Sequence, residues 1–224
     1  MTSTTSPRPW RNPLTLATTA TGVASGVLVV WLAALASEWW RINFGDIVTV
    51  SLSPFDYEVM LLNQVTSVPL IDLVVLISRI IAIVAGVLLI ISAVKPLNRW
   101  SKKLIEYSWS KIPSYFVVII LIALIMTAIV SKSTSVIEAL VRNWFPVESI
   151  VANGEMFFTG SMTLTVTAHY LQQLVILDIP VTASFGSSFY VAIVTTALCG
   201  AYRVLSYVAA KRFSRASAQG QAKV

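Results

Sequence analysis

The chain contains four long apolar runs, and each is long enough to cross a bilayer as a helix. They cover residues 14–37, 70–94, 114–130 and 187–209. Because a helix rises about 1.5 Å per residue, about 20 residues cross a hydrocarbon core of about 30 Å. The pattern predicts a mainly α membrane protein with four transmembrane helices. The first run exceeds the apolar core of a signal peptide, so we interpret it as a retained span.

A different pattern marks the two segments that lie between the runs at 38–69 and 131–186. In residues 47–53 and again in 161–168, apolar side chains alternate with Ser and Thr. Strict alternation is typical of a half-buried β-strand. A further short apolar run, 174–179, ends at a proline. Since a two-stranded hairpin is marginal alone, we expect one small sheet built from both segments.

The basic residues set the orientation of this arrangement. Of 16 Lys and Arg residues, 12 fall in the N-terminal tail (1–13), the loop 95–113 and the C-terminal end from Arg203 onward. Cytoplasmic flanks of membrane proteins carry such an excess. Both termini, including the tail 210–224, are therefore predicted to be cytoplasmic and the sheet extracytoplasmic, with the plasma membrane as the expected location.

Two local features refine this topology. In the loop 95–113, apolar residues recur at helical spacing among the lysines, which predicts a short amphipathic helix on the cytoplasmic leaflet. Trp39 and Trp40 follow the first run directly, and paired tryptophans are typical of the membrane interface.

Composition supports lipid as the surrounding solvent. Hydrophobic residues make up 56% of the chain and charged residues 12%, whereas soluble domains are about 25% charged. The basic residues flank apolar runs and form no separate basic domain, so membrane lipids are expected partners and nucleic acid is not. Eight of the ten acidic residues lie in the two predicted outer segments.

The counts of Cys and His limit the possible chemistry. One cysteine, Cys199, excludes an intrachain disulfide, and one histidine, His169, excludes a haem held by two histidines of this chain. We therefore expect no metal site and no cofactor of the chain's own. His169 stays a weak ligand candidate for a haem or metal completed by another subunit, although a surface or packed histidine is the simpler interpretation.

Arg79 lies alone inside the second apolar run, and it is the leading candidate for chemistry. An ionised side chain within a span is costly and usually faces a partner or water. Asp72 precedes it by seven residues, two helical turns away on the same face. The two residues define either an intramembrane polar site for a quinone, anion or ion, or a structural pair.

Gly22 and Gly26 form a Gly-x-x-x-Gly motif in the first run. Small residues four apart let two helices approach closely. We interpret them as helix-packing residues, and packing within the chain is favoured over homodimerisation.

The sequence contains no catalytic motif, so we do not expect an enzyme. The leading hypothesis is a non-catalytic integral membrane subunit or scaffold of a larger membrane complex. Its sheet would contact partners, which are other membrane subunits or further copies. One alternative is a small channel or transporter with its polar site at Arg79 and Asp72. A second alternative is a redox-complex subunit that shares a quinone or haem with a partner.

Overall fold

The computed structural model describes residues 13–45, 47–94, 101–132, 147–170 and 173–221. Within these ranges, the chain forms four helices and seven strands. The helices are α1 (Pro13–Leu35), α2 (Pro69–Val94), α3 (Ser101–Lys132) and α4 (Ser187–Gln221). Each contains a stretch that is long and apolar enough to cross a membrane, which suggests a membrane protein.

Helix α3 differs from the expected pair of elements, a short surface helix followed by a span. It is one continuous helix that passes through Pro113 without ending. Its buried positions recur every three or four residues on both sides of the proline: Ser101, Ile105, Ser108, Ile112, Ile119, Ala123, Thr127 and Val130. Because one packed face runs the length of the helix, packing maintains it through Pro113, where a backbone hydrogen bond is lost.

All seven strands belong to one antiparallel sheet. From the first segment come β1 (Trp40–Phe44), β2 (Val48–Leu52), β3 (Tyr57–Leu61) and β4 (Gln64–Thr66); from the second come β5 (Val147–Phe157), β6 (Thr159–Tyr170) and β7 (Gln173–Phe185). The strand order is β4-β3-β2-β1-β7-β6-β5. The expected sheet built from both segments is thus confirmed, and its junction is the pairing of β1 with β7.

Where β1, β6 and β7 lie side by side, the sheet has one apolar and one polar face. On the apolar face, Ile42 of β1, Leu164 of β6 and Val181 of β7 are buried. On the other face, Thr159 and Thr182 are exposed. The alternation seen in 161–168 therefore continues across neighbouring strands, as the two-residue period of a strand requires.

The two tryptophans before and within β1 are not interfacial, and that interpretation was wrong. Trp39 and Trp40 are fully buried. The Trp39 ring packs against Phe55, Phe116 and Phe189, with ring centroids 5.3–6.2 Å apart. The Trp40 Nε1–H donates to the carbonyl of Phe158 at 2.6 Å. Because indoles supply large apolar surfaces, they form a core here instead of a membrane belt.

The chain divides into two compact units. The helical unit comprises Met1–Leu35, Arg79–Ser114 and Val191–Val224, and the sheet unit comprises Ala36–Ser78 and Tyr115–Tyr190. Each unit brings together segments that are distant in sequence.

Candidate functional site

Arg79 caps the end of α1 within the helical unit. Its Nη2 donates a hydrogen bond of 2.6 Å to the carbonyl of Ala34. Ala34 is the last residue but one of α1. The last four carbonyls of a helix have no partner within it, and a cation also interacts favourably with the negative end of the helix dipole. The geometry gives this side chain a structural partner.

Asp72 lies in the sheet unit and has a different partner. It is exposed in the first turn of α2, and its carboxylate lies near the hydroxyl of Tyr57. That hydroxyl also donates to the carbonyl of Val68 at 3.0 Å and accepts from the Val68 N–H. Partial desolvation raises the pKa of Tyr57 above 10.0, and the Asp72 carboxylate raises it further. Tyr57 thus connects β3 to the beginning of α2.

Arg79 and Asp72 belong to different units and have different described neighbours. In the sheet unit, an ion pair joins Arg41 to Glu38, with 2.7 Å between Nη2 and Oε2. Arg79 thus has its described partner within the helical unit, and Asp72 has its described neighbour within the sheet unit.

Gly22 and Gly26 lie at contacts inside the helical unit. A Cβ on Gly26 would lie 2.7 Å from the carbonyl oxygen of Gly86 in α2. A Cβ on Gly22 would lie 2.6 Å from both the Cβ of Ala93 and the ring of Tyr202. The motif therefore allows α1 to approach α2 and α4 within one chain. The matching small residue, Gly86, is a lone glycine in an apolar helix, so its sequence position gave no distinctive signal.

A buried hydroxyl pair joins α2 to α4 in the same unit. The side-chain oxygens of Ser92 and Tyr202 are 3.1 Å apart, and Ser92 also donates to the carbonyl of Leu89 at 2.8 Å. Cys199, one turn before Tyr202, is fully buried. Buried hydroxyls of this kind hold helices in register. The pair could not be recognised in the sequence, because Ser92 and Tyr202 are each an ordinary polar residue in an apolar run.

His169 lies in β6, where its backbone pairs with Leu174 of β7. Its side chain is outside the described part of the structure, so its role as a ligand candidate stays a prediction. Among the described residues, no group of three His, Cys, Asp or Glu side chains is arranged to hold a metal ion.

The sheet unit contains a small acidic cavity of about 210 Å³. Its lining residues are Ala36, Glu38, Ser51, Asp56, Tyr57 and Glu58. One of the three carboxylates, that of Glu38, is neutralised by Arg41, whose Nε also donates to the Ser51 hydroxyl at 3.2 Å. The remaining negative charge favours cations or basic side chains, and no other feature of the cavity selects among them.

The turn between β3 and β4 combines strain with exposure. Leu62 and Asn63 form a two-residue turn, with φ of 49° and 63°. Asn tolerates this left-handed conformation, whereas a leucine there costs about 1–2 kcal/mol. The Leu62 side chain is 69% exposed, and its neighbours Leu61 and Val65 are 49% and 64% exposed. We call these three residues the hairpin tip.

Comparisons with protein-family models, with curated proteins and with solved structures find no match to this chain. Its class therefore rests on the fold: a protein with four helices long and apolar enough to cross a membrane, together with a seven-stranded antiparallel sheet.

Proposed function

We propose that this chain is a non-catalytic integral membrane subunit or scaffold of a larger membrane complex. Its helices span the plasma membrane with both termini in the cytoplasm, and its sheet contacts partner subunits on the extracytoplasmic side. The observation that carries this proposal is the hairpin tip, where an apolar side chain is both strained and exposed.

The backbone strain at Leu62 is not offset by burial of its side chain within this chain. A buried leucine would gain about 1.5–3 kcal/mol from leaving water, but this side chain is largely exposed. A left-handed backbone at such a position is better suited to Asn or Gly. Residues held in strained conformations cluster at functional sites such as ligand clamps and switch regions. A partner that covers the hairpin tip would supply the missing burial.

Charge supports the proposed orientation. In the sheet unit, the described carboxylates Glu38, Asp56 and Glu58 line one cavity, and Arg41 is the one basic residue close to them. The helical unit has basic residues at Lys102, Lys103 and Lys111, and again at Arg203, Lys211 and Arg212. This asymmetry matches the excess of Lys and Arg on cytoplasmic flanks.

The test is purification in a mild detergent followed by native mass spectrometry of the wild type and of Leu62→Asn. The wild type is expected to retain a partner subunit. In Leu62→Asn the partner is lost, while the sheet becomes more stable by about 1 kcal/mol because Asn relieves the strain. A substitution that acted through misfolding would not raise stability, so the two readouts separate contact from structure.

Val151→Asn is the matched control, because Val151 is an apolar side chain on the sheet that is 50% exposed but lies on β5 and has no left-handed backbone. It is expected to keep the partner. A wild-type chain that purifies as a monomer without partners would contradict the proposal, as would Leu62→Asn that keeps every partner subunit of the wild type.

A further inference from the structure

Strand β7 extends well beyond its pairing with β1. Residues Val181–Phe185 pair with β1, and Val181–Ala183 among them also pair with β6 on the other side. Residues Gln173–Pro180 pair with β6 alone among the described residues. This stretch of β7, which we call the free edge, leaves one side of a strand open within the sheet.

The direction of the open backbone groups follows from one hydrogen bond. The Gly45 N–H donates to the Pro180 carbonyl at 2.7 Å, so the carbonyl of residue 180 points towards the β1 side. Backbone groups alternate sides with a period of two along an antiparallel ladder. The N–H and C=O groups of Leu174, Ile176 and Asp178 therefore point to the free edge. Pro180 suits its position because it has no N–H to leave unpaired.

The side chains of the free edge are apolar on both faces. Leu174 and Ile176 point to one face and are 54% and 61% exposed, and Val175 and Leu177 point to the other and are 43% and 50% exposed. An occupant must supply alternating backbone donors and acceptors as well as apolar side chains on both faces. An extended polypeptide strand meets both requirements.

The other two edges of the described sheet are protected against such pairing. Strand β4 is three residues long. Strand β5 contains a register irregularity between Val147 and Ser149, an exposed Glu148, and Gly154 with φ of 119°. Short length, charge and bulges all prevent unwanted strand addition. Residues 173–177 have no charge, no proline and no irregularity.

We propose that the free edge pairs with the free edge of a second copy of this chain, antiparallel and across a two-fold axis. Such an axis requires one residue to face its own counterpart. With Val175 at the axis, Leu174 faces Ile176 and Gln173 faces Leu177, so every apposed pair is uncharged. Each Leu174–Ile176 pair exchanges two backbone hydrogen bonds. Asp178, whose carboxylate accepts from the Thr165 hydroxyl at 2.8 Å, lies beyond this ladder.

The absence of charged residues from every apposed pair favours pairing with a second copy over pairing with a strand of another protein. A register centred on Ile176 would place Asp178 against Leu174, and the Val175 register avoids that contact. The inference deepens the proposed function by naming one partner of the sheet. It rests on that proposal for the confinement of both copies to one membrane, which raises their effective concentration.

The experiment is disulfide crosslinking in membranes and in detergent, in a Cys199→Ala background that removes the one native cysteine. Val175→Cys is oxidised with copper phenanthroline, which accepts the two electrons as two thiols form one disulfide. In a pair of opposed residues without hydrogen bonds, the Cα atoms are about 4.5 Å apart, within the range for a disulfide. A covalent dimer is therefore expected on a non-reducing gel.

Two positions serve as controls. Thr182→Cys lies on the part of β7 that pairs with β1, and Val151→Cys lies on the protected β5 edge. Both are expected to crosslink at least tenfold less than Val175→Cys. Equal crosslinking at all three positions would indicate random collision and overturn the proposal, and so would the absence of a dimer at Val175→Cys.

A charge exchange tests the register without cysteine chemistry. Val175→Lys places two like charges face to face, and like charges directly opposite each other destabilise a strand pair. The variant is expected to be monomeric and folded, because the side chain is exposed. Co-expression of Val175→Lys with Val175→Glu is expected to restore the dimer as the mixed pair. A dimer of Val175→Lys alone would overturn the proposal.

Failure of the self-pairing proposal can be distinguished from failure of the proposed function. If native mass spectrometry retains a different partner while Val175→Cys gives no dimer, self-pairing is wrong and the scaffold proposal stands. If neither a partner nor a dimer is found, both are wrong.

Discussion

Arg79, the one basic residue that stands alone inside an apolar run, is satisfied by a single backbone carbonyl. Its hydrogen bond to Ala34 closes the end of α1, and the next residue but one, Ala36, has a left-handed φ of 50°. A left-handed residue just after a helix is a common C-cap, usually a glycine, whereas here it is an alanine. The arginine therefore completes a helix terminus that the local sequence does not cap with glycine.

This role predicts the behaviour of two substitutions. Arg79→Leu is expected to lower the free energy of unfolding by about 1–2 kcal/mol, because it removes a charge-assisted hydrogen bond at a half-buried position. Arg79→Lys is expected to lose less, since it keeps the cation near the helix terminus. Unfolding of the purified protein in mixed detergent micelles measures both values.

Ile80→Leu is the control, because it changes an exposed side chain of the same helix turn without touching the cap. If Arg79→Leu were as stable as the wild type yet lost ion flux in liposomes, the cap would not be its main role. That outcome would favour the channel alternative.

At the scale of elements, periodicity predicted most of the helices and parts of β2, β6 and β7, but not the ends or neighbours of these elements. The alternation at 47–53 and 161–168 corresponds to β2 and β6, which are separated in the sheet by β1 and β7. Strand β1 was missed because Trp39 and Trp40 are equally typical of a membrane interface and of a packed core. Only the tertiary partners Phe55, Phe116 and Phe158 decide between these environments.

For the glycine contacts between helices, the sequence predicted the residues of α1 but not their partners on α2. Gly22 and Gly26 form a recognisable motif, but their partner surface on α2 contains the single Gly86. A lone glycine in an apolar helix has no distinctive spacing, so the pairing of Gly26 with Gly86 could not be predicted before the helices were placed. The same applies to the hydroxyls of Ser92 and Tyr202.

The close contact at Gly26 predicts that the stability of the protein falls steeply with the size of the side chain at this position. Gly26→Ala is expected to cost about 1–3 kcal/mol of unfolding free energy, because the added Cβ would lie 2.5 Å from Ile90 Cγ1 and 2.7 Å from the Gly86 carbonyl oxygen. Gly200→Ala is the matched control, since a Cβ there meets nothing within 4 Å. It is expected to be neutral or to stabilise α4 by up to about 1 kcal/mol.

Denaturation of both variants in the same detergent separates packing from helix propensity. A Gly26→Ala protein as stable as Gly200→Ala would show that α1 and α2 do not approach each other this closely.

At the scale of the whole molecule, charge and hydropathy predicted the membrane class and the single sheet, but not the size of the sheet. Four short elements from 38–69 and three long strands from 131–186 join it. The length of β5–β7 could not be predicted from the sequence because Glu148, Asn153 and Gly154 interrupt the alternation of β5. Long-range pairing with β6 holds these residues in a strand despite their low propensity.

The proposed orientation predicts which residues a membrane-impermeant maleimide can reach in intact cells. In a Cys199→Ala background, Thr182→Cys on the exposed face of the sheet is expected to be labelled from outside. Lys103→Cys, an exposed position near the beginning of α3, is expected to be labelled only after permeabilisation. The reverse pattern would place the sheet in the cytoplasm and contradict the proposed topology.

The junction between β1 and β7 also sets an order of events during synthesis. Trp40 finds its partner Phe185 only after nearly all of the chain has been made. Strands β1–β4 are synthesised much earlier. The edge of β1 that pairs with β7 stays unpaired until the second segment reaches the same side of the membrane. Pairings of such high sequence separation form slowly. We therefore expect the nascent protein to depend on a holding factor or on rapid insertion of its last two helices.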